Sequence, residues 1–252
     1  MRYRIDMCYD GSGFCGWQVQ PDAPSVQGAL ESALAVLLKE RIQVTGAGRT
    51  DTGVHASAYV AHFDFLSELD CADLRYKLNA ILPGGIAIRS VTRVPEDFHA
   101  RFSATRREYR YYLHREKDPF ASKYSYLCGY PVLDFEAMDR AAALLTGTHD
   151  FSCFEKSGGD NRTSICTVFE AGWHRTDDTH WYFRISADRF LRNMVRAVVG
   201  TLLEVGRGKR TPESVRQLVL PPDAPPAPSA SRRGAAGESV PGNALFLTSI
   251  EY

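Results

Sequence analysis

Four segments in the first half of the chain have the pattern of apolar and polar residues that half-buried strands show. They are residues 2–9, 42–45, 57–65 and 86–94. Residues 25–39 and 72–82 instead place apolar side chains three or four positions apart, which predicts two helices, the first capped by Ser25. The first half therefore reads as β-α-β-α-β, where the middle β stands for the two strands at 42–45 and 57–65. Glycine-rich loops lie at residues 10–16 and 46–56.

The second half mixes the same two patterns with a hairpin. Strands are predicted at residues 109–114, 164–174, 181–186 and 244–252. The second and third of these strands form a hairpin-like pair. Helices are predicted at residues 134–145, 189–203 and 211–218. In the helix predicted over 189–203, Arg189, Arg192 and Arg196 are spaced to share one face opposite an apolar stripe.

Interleaved helices and short strands, with hairpins as well as crossovers, predict an α+β fold. We expect two ferredoxin-like halves whose sheets are mixed and mostly antiparallel. The predicted N-terminal half covers residues 1–104 and the C-terminal half covers residues 105–252. Residues 221–237 are rich in Pro, Ala, Ser and Gly, which predicts a mobile surface loop.

Composition narrows the class of protein. With 252 residues, of which 44% are hydrophobic and 24% charged, the chain can bury a large core, which excludes a disordered or collagen-like chain. No segment is apolar for long enough to span a bilayer, and the first strand leaves no room for a signal peptide. The six cysteines form no C-x-x-C pair. We therefore expect a cytoplasmic protein with reduced thiols, without membrane contact and without a metal site.

Charge is balanced over the whole chain but not locally. The 30 basic residues equal the 30 acidic ones, yet residues 99–117 and 189–210 each carry a strong excess of arginine and lysine. Aromatic side chains, among them Tyr109 and Tyr111, lie inside the first patch. Such patches favour a polyanionic partner, and the alternative interpretation is two solvated basic faces.

The segment around Asp51 carries the most specific chemistry. Three glycines surround a carboxylate that lies two residues after Arg49. One interpretation is a tight turn in which Asp51 caps backbone N–H groups. Asp51-Thr52-Gly53 also matches the triplet of aspartic proteases, which need two such carboxylates. The chain has one such triplet, so this alternative requires a homodimer.

Two further groups of residues have functional and structural interpretations. On a strand, Tyr109 and Tyr111 share one face and Arg110 occupies the other, an arrangement in which a tyrosine could stack on an extruded base. The alternative is ordinary half-buried strand tyrosines. Arg196 could bind a carboxylate with both terminal nitrogens, and the alternative is a solvated basic face.

Several ordered motifs make the chain recognisable from end to end. They are Tyr9-Asp10-Gly11, Gly16-Trp17-Gln18, Gly48-Arg49-Thr50-Asp51, Gly53-Val54-His55-Ala56, Phe98-His99-Ala100-Arg101-Phe102-Ser103-Ala104, Asp150-Phe151-Ser152 and Met194-Val195-Arg196. In these motifs the chain resembles the TruA-type family of tRNA pseudouridine synthases. The resemblance implies the pseudouridine synthase fold and an isomerase without a cofactor. Such an enzyme converts uridine to pseudouridine in the anticodon stem-loop of tRNA, at positions 38, 39 and 40.

The resemblance also implies roles for individual residues. Asp51 matches the nucleophile, Tyr109 the tyrosine that packs against the target base, and Arg196 the arginine paired with the nucleophile. Arg49 matches a loop arginine that holds the base extruded. We expect further substrate contacts in the basic patches, from Arg101, Arg107, Arg110 and Arg192. The family implies a homodimer, and the alternative function is a non-catalytic RNA-binding module.

Overall fold

The structure is a computed structural model that describes residues 1–156, 158, 162–223 and 233–252. Its strands are β1 (Arg2–Tyr9), β2 (Thr45–Gly46), β3 (His55–Asp64), β4 (Ile86–Val94), β5 (Arg106–His114), β6 (Tyr126–Leu127), β7 (Gly147–Asp150), β8 (Ile165–Arg175), β9 (His180–Ala187) and β10 (Leu245–Glu251). Its helices are α1 (Val26–Leu38), α2 (Cys71–Ile81), α3 (Phe135–Ala143) and α4 (Met194–Gly206). They form two compact units, Met1–Thr105 with Phe246–Tyr252, and Arg106–Leu245.

The first unit has an antiparallel sheet in the order β4-β1-β3, with β2 paired to one end of β3. The order β4-β1-β3-β2 is that of a β-α-β-β-α-β ferredoxin-like unit. Alternate residues of β1 are buried, as the sequence pattern predicts. Helix α1 begins after Ser25, whose side chain accepts a hydrogen bond from the Gly28 N–H. It ends at Leu38, and the following residue, Lys39, adopts a left-handed conformation with φ 62°.

The last strand belongs to the first unit. The boundary predicted between residues 104 and 105 places β10 in the second half, but residues 246–252 group with the first unit. The physical reason is that β10 pairs in parallel with β3, with Phe246 opposite His55 and Leu247 opposite Ala56. A parallel pairing between segments so distant in sequence leaves no local pattern to predict it.

The second unit has an antiparallel sheet in the order β5-β9-β8-β7, and β6 adds to β5 in parallel. The predicted hairpin is present as β8 and β9. Helix α3 is capped by Asp134, which accepts a hydrogen bond from the Ala137 N–H. The mixed helix and strand content and the mostly antiparallel pairing confirm the predicted α+β class.

Helix α4 begins five residues later than predicted. It starts at Met194, because Asn193 adopts a left-handed conformation with φ 66° that interrupts the helical path. Arg189 and Arg192 therefore lie outside the helix, and the prediction that they share its face with Arg196 is wrong. Two other predicted elements also differ in the structure. Residues 212–217 form a 3₁₀ helix, and the strand predicted at 42–45 is the two-residue β2.

The predicted surface loop at residues 221–237 lies partly outside the described residues, from 224 to 232. Its described end is bound to the rest of the unit: the Gly237 N–H donates to the Thr201 hydroxyl at 2.8 Å. Arg210 likewise donates to the Ala235 carbonyl oxygen at 2.9 Å. Within the described ranges, none of the helices has the length and apolar character needed to cross a membrane. The described residues also contain no cluster of three or more metal-binding side chains.

Candidate active site

Asp51 lies on one loop of the first unit, and a second loop of the same unit is bonded to it on both sides of Asp51. The segment from β2 to β3 carries Asp51, and the segment after β1 carries Gly11 to Trp17. The Trp17 N–H donates to the Thr50 carbonyl oxygen, and the Gly53 N–H donates to the Phe14 carbonyl oxygen, both at 3.3 Å. The turn itself closes through the Val54 N–H, which donates to the Asp51 carbonyl oxygen at 3.1 Å. Asp51 is therefore fixed on both sides, and the residue stays partly exposed.

Two glycines allow the loops to approach this closely. A Cβ atom on Gly11 would lie 2.0 Å from the Val54 carbonyl oxygen. A Cβ atom on Gly16 would lie 2.2 Å from the Thr50 carbonyl oxygen, and Gly16 also has a φ of +93°. Both distances are far shorter than a van der Waals contact, so the loop geometry requires glycine at these positions.

A buried aromatic cluster supports the residues that flank Asp51. The ring centroids of Trp17 and Tyr59 are 4.2 Å apart, and those of Tyr9 and Tyr59 are 5.4 Å apart. The hydroxyls of this cluster reach the segment that carries Asp51: Tyr9 bonds to the Thr50 hydroxyl at 2.9 Å, and Tyr59 donates to the Gly48 carbonyl oxygen. The hydroxyls of two buried tyrosines thus bind the residues just before Asp51.

His55, which follows the turn, has a structural role in this arrangement. It is 1% exposed, and its Nδ1 accepts a hydrogen bond from the Gly11 N–H at 3.0 Å. The same Nδ1 lies 3.1 Å from a carboxylate oxygen of Asp10. A nitrogen that accepts from Gly11 has no proton to donate, so with this hydrogen bond in place the contact between His55 and Asp10 is not an ion pair. The imidazole links the start of β3 to the loop after β1.

The arginines expected in the first unit are exposed. Arg49 lies on the surface, two residues before Asp51. Arg101 also lies on the surface, with its guanidinium 5.5 Å from the ring centroid of Phe102. The turn that presents Arg101 is fixed by His99, whose Nδ1 accepts hydrogen bonds from the N–H groups of Arg101 and Phe102 at 3.1 and 3.2 Å.

Tyr109 and Arg196 both lie in the second unit. Tyr109 is partly exposed on β5, and its ring meets Phe190 edge to face at a centroid distance of 5.0 Å. Arg196 lies in the first turn of α4, where its Nε donates to the Val240 carbonyl oxygen at 2.7 Å. On the Tyr109 face of β5, Tyr111 is fully buried, and this burial raises the pKa of its hydroxyl.

The remaining arginines of the sequence prediction differ in their surroundings. Arg107 donates to the Asp188 carbonyl oxygen at 2.7 Å, and Arg192 makes a long contact of 3.4 Å with the Gly158 carbonyl oxygen. Arg110 lies on the opposite face of β5 from Tyr109, where it donates to Glu108 at 3.0 Å. The structure therefore separates Arg110 from the tyrosine face, in agreement with the alternation expected for a strand.

Sequence reasoning missed the part that Glu108 plays. In the sequence Glu108 is only an acidic residue within the basic patch at residues 99–117. In the structure it is 8% exposed and accepts hydrogen bonds from Arg110 and, at 2.6 Å, from Arg184 of β9. Arg184 in turn donates to Glu170 of β8 at 3.0 Å. The buried Glu108 carboxylate binds one arginine of its own strand and one of β9, and Arg184 continues the link to β8. These contacts follow from the pairing of the strands, which the sequence pattern does not show.

Comparison with known proteins identifies the class to which this fold and this loop belong. A model of the tRNA pseudouridine synthase family matches residues 7–103 and 141–252. The chain belongs to this family. It is 48% identical over 252 residues to the tRNA pseudouridine synthase A of Bacteroides fragilis, an alignment that covers 100% of this chain and 96% of the relative. It is also 41% identical over 256 residues to the protein of the same name from Bacillus subtilis, with 100% and 99% covered.

A further relative, the tRNA pseudouridine synthase A of Bacteroides thetaiotaomicron, is 49% identical over 253 residues, with 100% of this chain and 90% of the relative covered. The resemblance drawn from the motifs is therefore confirmed, and with it the enzyme class, an isomerase. The matched ranges include the loop that carries Asp51 and the first turn of α4 that carries Arg196.

Proposed function

We propose that this chain converts uridine to pseudouridine in the anticodon stem-loop of tRNA, at positions 38, 39 and 40, with Asp51 as the nucleophile. The observation that carries the proposal is the Asp51 turn, in which Asp51 is partly exposed while its backbone is fixed on both sides. Membership of the tRNA pseudouridine synthase family supports the reaction and the kind of RNA.

The reaction is an isomerisation, so no atom is gained or lost. The bond between C1′ and N1 of uridine breaks, and a bond between C1′ and C5 forms. C5 loses a proton, and N1 carries a proton in the product. A carboxylate is ionised at neutral pH, so this nucleophile needs no activating base. Attack at C1′, attack at C6 and removal of a sugar proton all satisfy this balance, and each requires the Asp51 carboxylate next to the nucleotide.

The proposal gives three other residues a part in the reaction. The target base must leave its stack, which costs about a few kcal/mol, and stacking on the half-exposed Tyr109 ring offsets part of this cost. Arg49, exposed on the catalytic loop, holds the extruded nucleotide. Arg196 keeps the carboxylate ionised once RNA excludes water, because a buried carboxylate without a cation would take up a proton.

Binding of tRNA would use the basic residues around these groups. Arg101 and Arg192 are the exposed members of the four expected contacts. Arg107 and Arg192 each donate to a backbone carbonyl oxygen, at 2.7 and 3.4 Å. Arg110 shares its charge with Glu108, so we propose a smaller contribution from it. We further propose that the enzyme acts as a homodimer in the cytoplasm, without a cofactor.

The test is incubation of the purified chain with unmodified tRNA, followed by mapping of pseudouridine at nucleotide resolution. We expect product at positions 38 to 40 with the wild type and no product with Asp51→Asn. The variant should bind tRNA within about twofold of the wild type, since the lost charge is not one that attracts phosphate. Asp73→Asn is the matched control, because Asp73 lies on α2 and pairs with Lys77 at 2.7 Å.

Each alternative has its own outcome in this experiment. Tight tRNA binding by the wild type without any pseudouridine would favour an RNA-binding module. Peptide hydrolysis that depends on Asp51 would favour the aspartic protease. Full activity of Asp51→Asn would exclude the proposed nucleophile.

A further inference from the structure

A short backbone segment of the second unit, residues 236–240, runs along the N-terminal half of α4; we call it the strap. At one end of the strap, the Gly237 N–H donates to the Thr201 hydroxyl at 2.8 Å. At the other end, Val240 forms two bonds with one residue of the helix. The Val240 N–H donates to the Arg196 carbonyl oxygen at 3.2 Å, and the Arg196 Nε donates to the Val240 carbonyl oxygen at 2.7 Å.

The strap lies closer to the helix than any side chain would permit. A Cβ atom on Gly200 would be 1.7 Å from the Glu238 carbonyl oxygen, and one on Gly237 would be 2.8 Å from the Thr201 nitrogen. Two glycines facing each other therefore place backbone against backbone at this point. The register of the strap on α4 is consequently set here, four to five residues along the helix from Arg196.

Thr201 is the polar anchor of this contact. It is 1% exposed, and its hydroxyl donates to the Ala197 carbonyl oxygen at 2.8 Å while it accepts from Gly237. Both hydrogen-bonding functions of the hydroxyl are thus used, one on the helix and one on the strap. Replacement by an apolar side chain of the same shape would leave a buried N–H of the strap without an acceptor.

The middle of the strap is held as well. The Ser239 hydroxyl accepts hydrogen bonds from Arg233, at 2.8 Å, and from the Asn193 side chain. Asn193 is the residue in the left-handed conformation that immediately precedes α4. The strap is thereby bonded on both sides of the helical turn that carries Arg196.

We infer that Thr201, with Gly200 and Gly237, positions the Arg196 guanidinium through the strap; this inference rests on the proposed function of Arg196. A guanidinium is planar, so a hydrogen bond at Nε fixes its plane and the direction in which its two terminal nitrogens donate. The Val240 carbonyl oxygen supplies that bond, and the contact at Thr201 sets where this oxygen lies. Thr201 is a positioning residue and does not itself touch the substrate.

The test compares two substitutions of Thr201 in the full chain. Thr201→Val keeps the shape and removes the hydroxyl, whereas Thr201→Ser keeps the hydroxyl. We expect Thr201→Val to lower kcat about tenfold with KM for tRNA within about twofold, since one well-aligned hydrogen bond has an effect of this size. Thr201→Ser should keep a kcat within about twofold of the wild type. Thr201→Ala replaces the valine variant if the latter does not fold.

Ser125→Ala is the matched control for simple loss of stability. Ser125 is buried in the same unit, and its hydroxyl bonds to His114 at 2.9 Å. This variant should unfold at a lower temperature but keep its kcat. An unchanged kcat in a folded Thr201→Val protein would overturn the inference, and so would an equal loss of kcat in Ser125→Ala.

A second measurement does not depend on activity. Hydrogen exchange of the Arg196 Nε–H, followed by NMR, should be about tenfold faster in Thr201→Val than in the wild type and unchanged in Thr201→Ser. If the wild type forms no pseudouridine, the proposed function fails while this measurement still tests the strap. If exchange is the same in all variants, the strap does not position Arg196, whatever the activity.

Discussion

Replacement of Gly16 by alanine perturbs the Asp51 loop from a neighbouring segment. Gly16 has a φ of +93°, and a left-handed backbone costs a residue with a Cβ about 1–2 kcal/mol. The new Cβ would also lie 2.2 Å from the Thr50 carbonyl oxygen, which accepts the Trp17 N–H. Loss of that bond adds about 1 kcal/mol, so we expect Gly16→Ala to destabilise the protein by about 2–3 kcal/mol.

This destabilisation should be visible in both stability and activity. For a chain of this length the melting temperature should fall by about 5–10 °C, measured by thermal unfolding. Because Thr50 directly precedes Asp51, the shift also displaces the carboxylate. A displacement of about 1 Å can lower a rate about 100-fold, so we expect kcat to fall by at least about tenfold at a temperature where the variant is folded.

Gly48→Ala is the matched control for Gly16→Ala, because it places a Cβ atom on the same pair of loops without a clash. Gly48 lies on the Asp51 segment itself, yet a Cβ there would meet no atom within 4 Å. We expect its stability to change by less than about 0.5 kcal/mol. If Gly16→Ala were as stable and active as the wild type, or if Gly48→Ala were the more damaging change, the account of the loop would be wrong.

Three further predictions concern other parts of the molecule. His62 accepts the Ala100 N–H at Nδ1, and burial, together with nearby positive charge, lowers its pKa from 6.5 to about 4. Its contribution to the free energy of unfolding is therefore complete above pH 6.5 and is lost as the pH falls towards 4. Urea unfolding at about pH 7.5 and pH 4.5 measures this loss. Between these two values the free energy of unfolding of the wild type should fall by about 2 kcal/mol more than that of His62→Gln. Glu108→Gln should lower the free energy of unfolding by about 2 kcal/mol, because it removes the more buried of the two carboxylates that the half-buried Arg184 binds, although the bond to Glu170 remains. Equal stability in denaturant would contradict the role of the pair of Glu108 and Arg184. Tyr109→Phe keeps the ring and should bind tRNA like the wild type. If the hydroxyl assists removal of the C5 proton, this variant should lose turnover. Turnover equal to that of the wild type would mean that Tyr109 acts through stacking alone.

Local patterns were sufficient for most elements of the fold. The alternation in β1 and the apolar spacing in α1 arise from neighbours a few residues apart, and both elements lie where these patterns predict them. The pattern misleads at the start of α4, where Leu191 continues the apolar spacing. Leu191 is indeed buried, at 4% exposure, but in a loop before the left-handed Asn193. Apolar spacing records burial, and burial does not by itself require a helix.

The candidate site divides in the same way. The Asp51 motif could be recognised from the sequence because its glycines and carboxylate are consecutive, and their conformational requirements are local. The strand that completes the first unit comes instead from the C-terminus. The Glu108 carboxylate, which binds Arg184 of β9, lies on β5. The carbonyl oxygen of Val240, which orients Arg196, is 44 residues away from it. Contacts of this kind depend on which segments of backbone the fold brings together. Every residue has a carbonyl oxygen, so the sequence does not show which of these oxygens binds a given side chain.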